Sequence, residues 1–252
     1  MNTKAGMNTY RKTATVVGVV YLAGFVVGLV GTGLTQSVLG TPDHLAAVTT
    51  NSMILALGAI LWMIAVAGDA AHGVLMFPIL KQHSERLALG YLASRILDAV
   101  FVAVSALFIL IQIPLGSEFL KAAGTDTGYL QALSTVSAQV NLYAYDFGMI
   151  TLGLAGLMLN YIFYKAKLVP RWIAVWGLVG YAVIFMGMIS EVMGSGLGLV
   201  SSIPGGLWEV FIGVWLIVKG FNSSAFVSQA VGTTRTTSPV EPLVPYASPT
   251  QA

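Results

Sequence analysis

The chain has 252 residues, of which 56% are hydrophobic and only 9% are charged, and its formal net charge is +2. Soluble domains carry about a quarter charged residues, so this composition excludes an ordinary water-soluble domain, and the small net charge predicts no nucleic-acid partner. The chain has no cysteine, which excludes disulfides, thiolate catalysis and cysteine-bound metal clusters.

Six apolar stretches fill most of the chain, and each is long enough to cross the roughly 30 Å hydrocarbon core of a bilayer. They predict an all-α, polytopic membrane protein: one six-transmembrane-helix bundle over residues 13–222, with the lipid bilayer around it. The predicted spans lie at about 13–34, 52–78, 87–113, 138–164, 172–193 and 203–218.

The first span follows a polar and basic segment at residues 1–12. Its apolar stretch is longer than that of a signal peptide, and no small-residue cleavage site follows it, so we predict a retained helix. Gly24 and Gly28 have the GxxxG spacing that lets two helix backbones approach closely. They are therefore the predicted contact with a partner helix. A polar loop is predicted at residues 35–51.

Spans two and three carry ionisable residues at helical spacing. Asp69 and His72 are three residues apart, so they share one face of the second helix, and Arg95 and Asp98 do the same on the third. A short charged turn at residues 81–86 joins the two spans, and short connections make neighbouring helices antiparallel. We therefore expect Arg95 within reach of Asp69 or Asp98.

The longest predicted connection is at residues 115–137, and we expect a short surface helix at about 117–123 within it. The fourth span carries Tyr143 and Asp146 near one end, and the fifth ends close to Glu191. We expect these three side chains near the outer face of the membrane. They are either interfacial residues that reach water or parts of an outer vestibule.

Basic residues indicate how the bundle faces. Lys and Arg precede span one, join spans two and three, join spans four and five, and follow span six, whereas the opposite connections carry only Lys121. Short loops rich in Lys and Arg stay in the cytoplasm. Both termini are therefore predicted to be cytoplasmic. Residues 223–252 are predicted to be a disordered cytoplasmic tail, because their polar composition cannot bury enough apolar surface to order the chain.

Five ionisable residues share one predicted depth. The helical rise puts them roughly 13–18 Å from the nearest basic connection, near the membrane midplane. They are Asp69, His72, Arg95, Asp98 and Glu209. Charges in hydrocarbon need partners or water, and two interpretations stay open. The five residues are either a structural ion-pair network that holds three helices together, or a polar site that binds a substrate or relays protons. His72 would be the group that titrates nearest neutral pH.

Motifs for common enzyme classes are missing. The sequence has no HExxH motif and no phosphate-binding or dinucleotide-binding glycine motif. Only three histidines are present, which disfavours a histidine-rich metal or haem site. Gly-Ser-Gly at 194–196 follows no predicted strand, so it is not a nucleophile elbow. We predict no metal and no cofactor, and the catalytic residues of any enzyme activity stay unknown.

Several short motifs occur along the chain. They are Arg-Lys-Thr-Ala at 11–14, Ser-Arg-Ile-Leu-Asp-Ala at 94–99, Tyr-Asp-Phe-Gly at 145–148, Lys-Leu-Val-Pro-Arg-Trp at 167–172, Val-Trp-Gly-Leu at 175–178, and Trp-Leu-Ile-Val-Lys-Gly-Phe at 215–221 after Glu209. In this order they resemble the bacterial integral-membrane family called domain of unknown function 4386, over about residues 9–222. The resemblance implies an uncharacterised multi-pass protein of the bacterial plasma (cell) membrane and no established reaction. The family often has glutamate where Asp98 stands, and the shorter side chain leaves Arg95 open to pairing with Asp69 or Glu209.

Three functions stay open at this point. The first is binding or transport of a small molecule at the midplane site, where Arg95 would hold an anionic group and His72 or a carboxylate would exchange a proton. The second is an intramembrane enzyme acting on a lipid-like substrate, with the carboxylates as general acid and base. The third is a structural or accessory membrane subunit that uses Gly24 and Gly28 as its interface.

Overall fold

The computed structural model describes residues 3–122 and 127–222, with side chains from Tyr10 onward. The predicted tail at 223–252 lies outside the described residues. The described chain forms six helices and no strand. The helices are α1 Thr3–Leu39, α2 His44–Leu80, α3 Glu85–Lys121, α4 Gly128–Ala166, α5 Arg171–Val192 and α6 Gly198–Val218. Each contains a stretch long and apolar enough to cross a membrane. The prediction of an all-α bundle of six membrane-spanning helices is confirmed.

Several helices extend beyond the predicted spans. α1 begins at Thr3 and ends at Leu39, so the predicted loop at 35–51 is limited to residues 40–43. Polar residues at this end stay helical because their side chains bond to the preceding turn, as Thr35 does when its hydroxyl donates to the carbonyl of Thr32 at 3.0 Å. The span boundary predicted at residue 52 falls beside a kink in α2, where Asn51 has non-helical angles (φ −121°, ψ 23°).

The predicted long connection at 115–137 is also mostly helical. α3 continues through Pro114 to Lys121, and α4 begins at Gly128. A proline fits the helical φ angle and removes a single backbone donor, and in membrane helices neighbouring groups compensate for that loss. The span end predicted at residue 113 and the separate surface helix predicted at about 117–123 are therefore replaced by one longer α3, which ends at Lys121.

The six helices form a closed ring in chain order. Each helix packs against the next one in sequence, and α6 returns to pack against α1. The short connections make successive helices antiparallel. One end of the bundle therefore carries the connections α2–α3 and α4–α5 together with residue 222, and the opposite end carries α1–α2, α3–α4 and α5–α6. We call these the terminal end and the far end.

Glycine contacts bring α1, α5 and α6 close together. A Cβ atom at Gly18 would stand 2.5 Å from the carbonyl oxygen of Gly213, so α1 and α6 meet backbone to backbone. A Cβ at Gly180 would stand 3.1 Å from Cα of Gly205, which joins α5 to α6 in the same way. Small residues favour membrane helix packing because they let main chains approach.

Arg11 closes the ring at the terminal end. Its Nη2 donates to the carbonyl oxygens of Ile217 at 2.7 Å and Val218 at 3.1 Å. The last carbonyls of a helix lack partners within the helix and attract cations through the helix dipole. Arg11 therefore satisfies the end of α6 and ties it to α1.

Candidate functional site

A cavity of about 490 Å³ lies inside the ring, and all six helices contribute to its wall. Most of the wall is apolar, as in typical small-molecule sites. The wall includes all five residues that the sequence assigned to one depth: Asp69, His72, Arg95, Asp98 and Glu209. One face of α2 carries Asp69 and His72, one face of α3 carries Arg95 and Asp98, and both faces meet Glu209 of α6 in one polar region. We call these five residues the ionisable group.

Arg95 pairs with two of the three carboxylates. Its Nη2 donates to Oδ1 of Asp69 at 2.5 Å, and its Nη1 donates to Oδ2 of Asp98 at 3.4 Å. Arg95 is only 4% exposed, and the Asp98 side chain only 2%, whereas the Asp69 side chain is 38% exposed toward the cavity. Packing of α2 against α3 places Asp69 opposite Arg95. The i, i+3 spacing on α3 brings Asp98 to the same guanidinium.

Glu209 has a different partner. Its Oε1 accepts a hydrogen bond from the Tyr181 hydroxyl at 2.7 Å. Within residues 3–122 and 127–222, the salt bridges at 4.0 Å or less do not include Glu209. Glu209 therefore lies in the wall of the same cavity as Arg95, and a tyrosine holds it there.

His72 is enclosed by aromatic rings. The Tyr91 hydroxyl forms a hydrogen bond with His72 Nδ1. The centroid of the Tyr21 ring lies 4.1 Å from the centroid of the imidazole ring. His72 is 1% exposed, and its Nε2 has no hydrogen-bond partner among the described residues. The imidazole is thus fixed on one side and unsatisfied on the other, beside the cavity.

Aromatic residues that the sequence analysis did not assign to the site surround the ionisable group. Tyr21, Trp62 and Tyr145 line the cavity, and Tyr181 and the fully buried Trp208 pack beneath them. The signal that could have found them is an aromatic residue with a polar tip inside an apolar span, because such tips usually find a partner when buried. Many aromatic residues in membrane helices face lipid, so this signal alone is not selective.

The formal charges of the ionisable group do not balance. Three carboxylates and one guanidinium line the cavity, and the wall contains no lysine. Each Nη atom of Arg95 donates to a carboxylate, while its Nε has no hydrogen-bond partner among the described residues. Within the described part of the chain, no three His, Asp or Glu side chains form a group suited to hold a metal ion.

The three residues expected near the outer face lie apart from this cavity. Tyr143 is 43% exposed on α4, and Asp146 is buried. Glu191 accepts a hydrogen bond from the Gly198 N–H at 2.7 Å, which satisfies a free donor at the start of α6. The residues of the cavity wall include none of the three. Glu191 therefore contacts the start of α6 at the far end, where the α5–α6 connection lies.

A second polar cluster, missed from the sequence, joins α3 to α4 and α2 near the far end. Ser134 donates to Gln112 Oε1 at 2.6 Å, and Gln112 donates back to the Ser134 carbonyl at 3.1 Å. Since the single hydroxyl proton of Ser134 is used, Nε2 of His44 donates to Ser134 Oγ at 2.7 Å. The members satisfy one another, so this cluster holds helices together.

The cavity reaches the protein surface between α1 and α6. Gly24 and Gly28 line it, and a Cβ atom at either position would have no protein atom within 4 Å. The wall also includes Leu29, 60% exposed on α1, and Leu199, 83% exposed on α6. α1 and α6 are therefore in contact near Gly18 and leave an opening toward the far end.

A family model described as "Domain of unknown function (DUF4386)" matches residues 16–220. The resemblance inferred from the sequence motifs is thereby confirmed. No curated protein and no solved structure matches the chain.

Proposed function

We propose that this chain, which belongs to the family Domain of unknown function (DUF4386), binds a small molecule in its central cavity. The polar part of the ligand contacts the ionisable group, and its apolar part lies along α1 and α6. The observation that carries this proposal is a cavity of about 490 Å³ with a mostly apolar wall, in which three carboxylates and Arg95 gather in one region. Typical ligand sites have this composition and volume.

A purely structural ion-pair network is a weaker explanation of the same residues. Such a network would be most stable if it were closed and packed, because buried charges need full satisfaction. Here Asp69 remains 38% exposed toward open space, and Nε2 of His72 has no partner among the described residues. Both features favour a group that completes its contacts with a ligand.

Binding in this protein would serve uptake, export or sensing across the plasma membrane of a bacterium. The distribution of Lys and Arg supports cytoplasmic termini, so the cavity would open toward the outer half of the bilayer. Transport in addition requires a route from the ionisable group to the terminal end. Close contacts of Gly18 with Gly213 and of Arg11 with α6 close that end in this conformation.

An intramembrane enzyme is the second candidate, and one observation favours it. The cavity, whose wall includes Glu209, opens sideways between α1 and α6, as expected if a lipid-like substrate were to reach the carboxylates, which could then act as general acid and base. Turnover separates the two candidates. A binding protein releases its ligand unchanged, whereas an enzyme yields a product whose formation stops in Glu209→Gln.

Native mass spectrometry of the protein purified in a mild detergent tests the proposed function. We expect a co-purifying small molecule in the wild type that is lost in Gly28→Leu, because the leucine side chain would project into the cavity. Gly33→Leu is the matched control. Gly33 is also on α1 with no protein atom within 4 Å of a Cβ, but it is not part of the cavity wall.

Equal occupancy in Gly28→Leu and the wild type would overturn binding in this cavity. Absence of any bound molecule in all three proteins, purified directly from membranes, would do the same.

A further inference from the structure

We propose that the ligand is a cationic amphiphile: a protonated primary or secondary amine at one end and a single apolar chain at the other. It would reach the cavity from the bilayer between α1 and α6. This inference rests on the proposed function and specifies its ligand class.

Charge is the first argument. Asp69, Asp98 and Glu209 face one guanidinium, so the ionisable group has an excess of carboxylates. An unpaired charge in hydrocarbon is costly, so an added positive charge is favourable and an added negative charge is not. An amine cation supplies the missing charge without displacing Arg95 from its two partners.

Hydrogen bonding is the second argument. Each of the three carboxylates uses one oxygen: Oδ1 of Asp69 and Oδ2 of Asp98 accept from Arg95, and Oε1 of Glu209 accepts from Tyr181. The second oxygen of each has no protein donor among the described contacts. An ammonium group has two or three N–H donors and no acceptor, which matches these free carboxylate oxygens. Two donors of wall residues, Nε of Arg95 and Nε1 of Trp62, also have no partner among the described residues, so the match rests on the number and charge of the carboxylates.

His72 gives independent support for a ligand with a polar head group. It is 99% buried, it lines the cavity, and its Nε2 has no hydrogen-bond partner among the described residues. If Nδ1–H donates to the Tyr91 hydroxyl, Nε2 carries a lone pair that an N–H of the ligand would satisfy; if the hydroxyl donates to Nδ1, Nε2–H would bond to the lone pair of a hydroxyl or ether oxygen instead. His72 therefore supports a polar ligand head group, and the carboxylates decide its charge.

The apolar chain follows from the rest of the wall. Beyond the ionisable group the cavity is lined by Gly24, Gly28 and Leu29 of α1 and by Leu199 and Leu207 of α6. These leucines are between 58% and 83% exposed, so in a bilayer they contact acyl chains. A ligand that slides in from the bilayer keeps its chain in apolar surroundings throughout.

The test compares three probes that differ only in the head group: octylamine, octan-1-ol and octanoate. Binding is measured by calorimetry on the full chain in phosphatidylcholine nanodiscs. Gly28→Leu in the same nanodiscs serves as the reference, because its leucine side chain projects into the cavity while partition of each probe into lipid is unchanged. We expect octylamine to bind the wild type at least about 10-fold more tightly than the alcohol, since hydrogen bonds to charged groups reach about 1.5–3 kcal/mol.

Glu209→Gln should weaken octylamine binding by about 10-fold and leave octan-1-ol unchanged. Glu191→Gln is the matched control, because Glu191 is a span-end glutamate outside the cavity wall, and it should bind octylamine like the wild type. If Glu209→Gln does not fold, Asp69→Asn replaces it with the same expectation, and thermal unfolding of each variant verifies folding.

Two outcomes overturn the inference, and they have different meanings for the proposed function. If octanoate or octan-1-ol binds as tightly as octylamine, with binding lost in Gly28→Leu, the cavity binds ligands but not preferentially amines. If no probe distinguishes the wild type from Gly28→Leu, amphiphiles of this type are excluded. The co-purification experiment then decides the proposed function separately.

Discussion

Replacing Arg95 by glutamine should reveal whether distance or burial determines the strength of its two ion pairs. The guanidinium is 2.5 Å from Asp69 and 3.4 Å from Asp98, so distance alone favours Asp69. Burial favours Asp98, whose side chain is 2% exposed against 38% for Asp69. Water that enters the cavity would screen the Asp69 pair, whereas the buried Asp98 pair would have little screening.

The magnitudes decide in favour of burial. Removing one partner of a buried pair costs about 3–5 kcal/mol, because the other charge is left unpaired, while exposed pairs contribute about 0–1 kcal/mol. We therefore expect Arg95→Gln to lower the free energy of unfolding by about 3–5 kcal/mol, with most of the loss due to Asp98.

Double-mutant cycles measure the two pairs separately. The free energy of unfolding would be obtained by titrating SDS into mixed micelles for Arg95→Gln, Asp98→Asn, Asp69→Asn and the two double variants. We expect a coupling energy of about 2–3 kcal/mol for Arg95 with Asp98 and about 1 kcal/mol or less for Arg95 with Asp69. Adding Asp98→Asn to Arg95→Gln should therefore restore more stability than adding Asp69→Asn.

Two results would refute this reasoning. A larger coupling energy for Asp69 than for Asp98 would show that distance outweighs burial in this cavity. Unchanged stability of Arg95→Gln would show that the carboxylates do not depend on the guanidinium at all. Lys121→Gln is the control, because Lys121 pairs with Glu118 at 2.8 Å with both side chains more than half exposed, and it should leave stability unchanged.

Three further predictions concern the bundle. Gly18→Leu should destabilise the protein by about 1–3 kcal/mol in SDS titration, because its Cβ would clash with the α6 backbone; wild-type stability would argue against that contact. Gln112→Leu should cost about 1–3 kcal/mol because Ser134 loses one of its two side-chain partners, and wild-type stability of this variant would contradict the paired arrangement. With Lys81→Cys and Ser195→Cys in this cysteine-free chain, a membrane-impermeant thiol reagent should label only the second in intact cells; labelling of the first would reverse the predicted orientation.

Much of the ionisable group was predictable from helical spacing and depth. Asp69 and His72 share a face of α2, and Arg95 and Asp98 share a face of α3. Glu209 was predicted at a similar distance from the terminal end on α6. Residues at similar distances from one end of a bundle can line the same cavity, as these five do. The choice of partner for each group did not follow. Glu209 was an expected partner of Arg95, but Tyr181 from a neighbouring helix bonds to it, and no spacing within α6 could indicate that contact.

The glycine pair in α1 illustrates the same limit. Gly24 and Gly28 have the spacing of a helix contact, yet they line open space, while the contact of α1 with α6 uses Gly18 and Gly213. Gly18 and Gly213 are single glycines on different helices, so the sequence gives no comparable signal for their contact. The difference arises from where the two helices diverge, which depends on packing along their whole length.

The amino-acid sequence by itself determined the membrane environment, the number of spans and the position of each charge along its helix, because hydrocarbon tolerates only satisfied backbones and the helical rise converts residue number into height. Only the tertiary structure decided the closed ring, the cavity with its opening between α1 and α6, and the hydrogen-bond partner of each polar group. Those features depend on the rotation of each helix about its own axis and on the distance between axes. Contacts between residues far apart in the chain set both quantities.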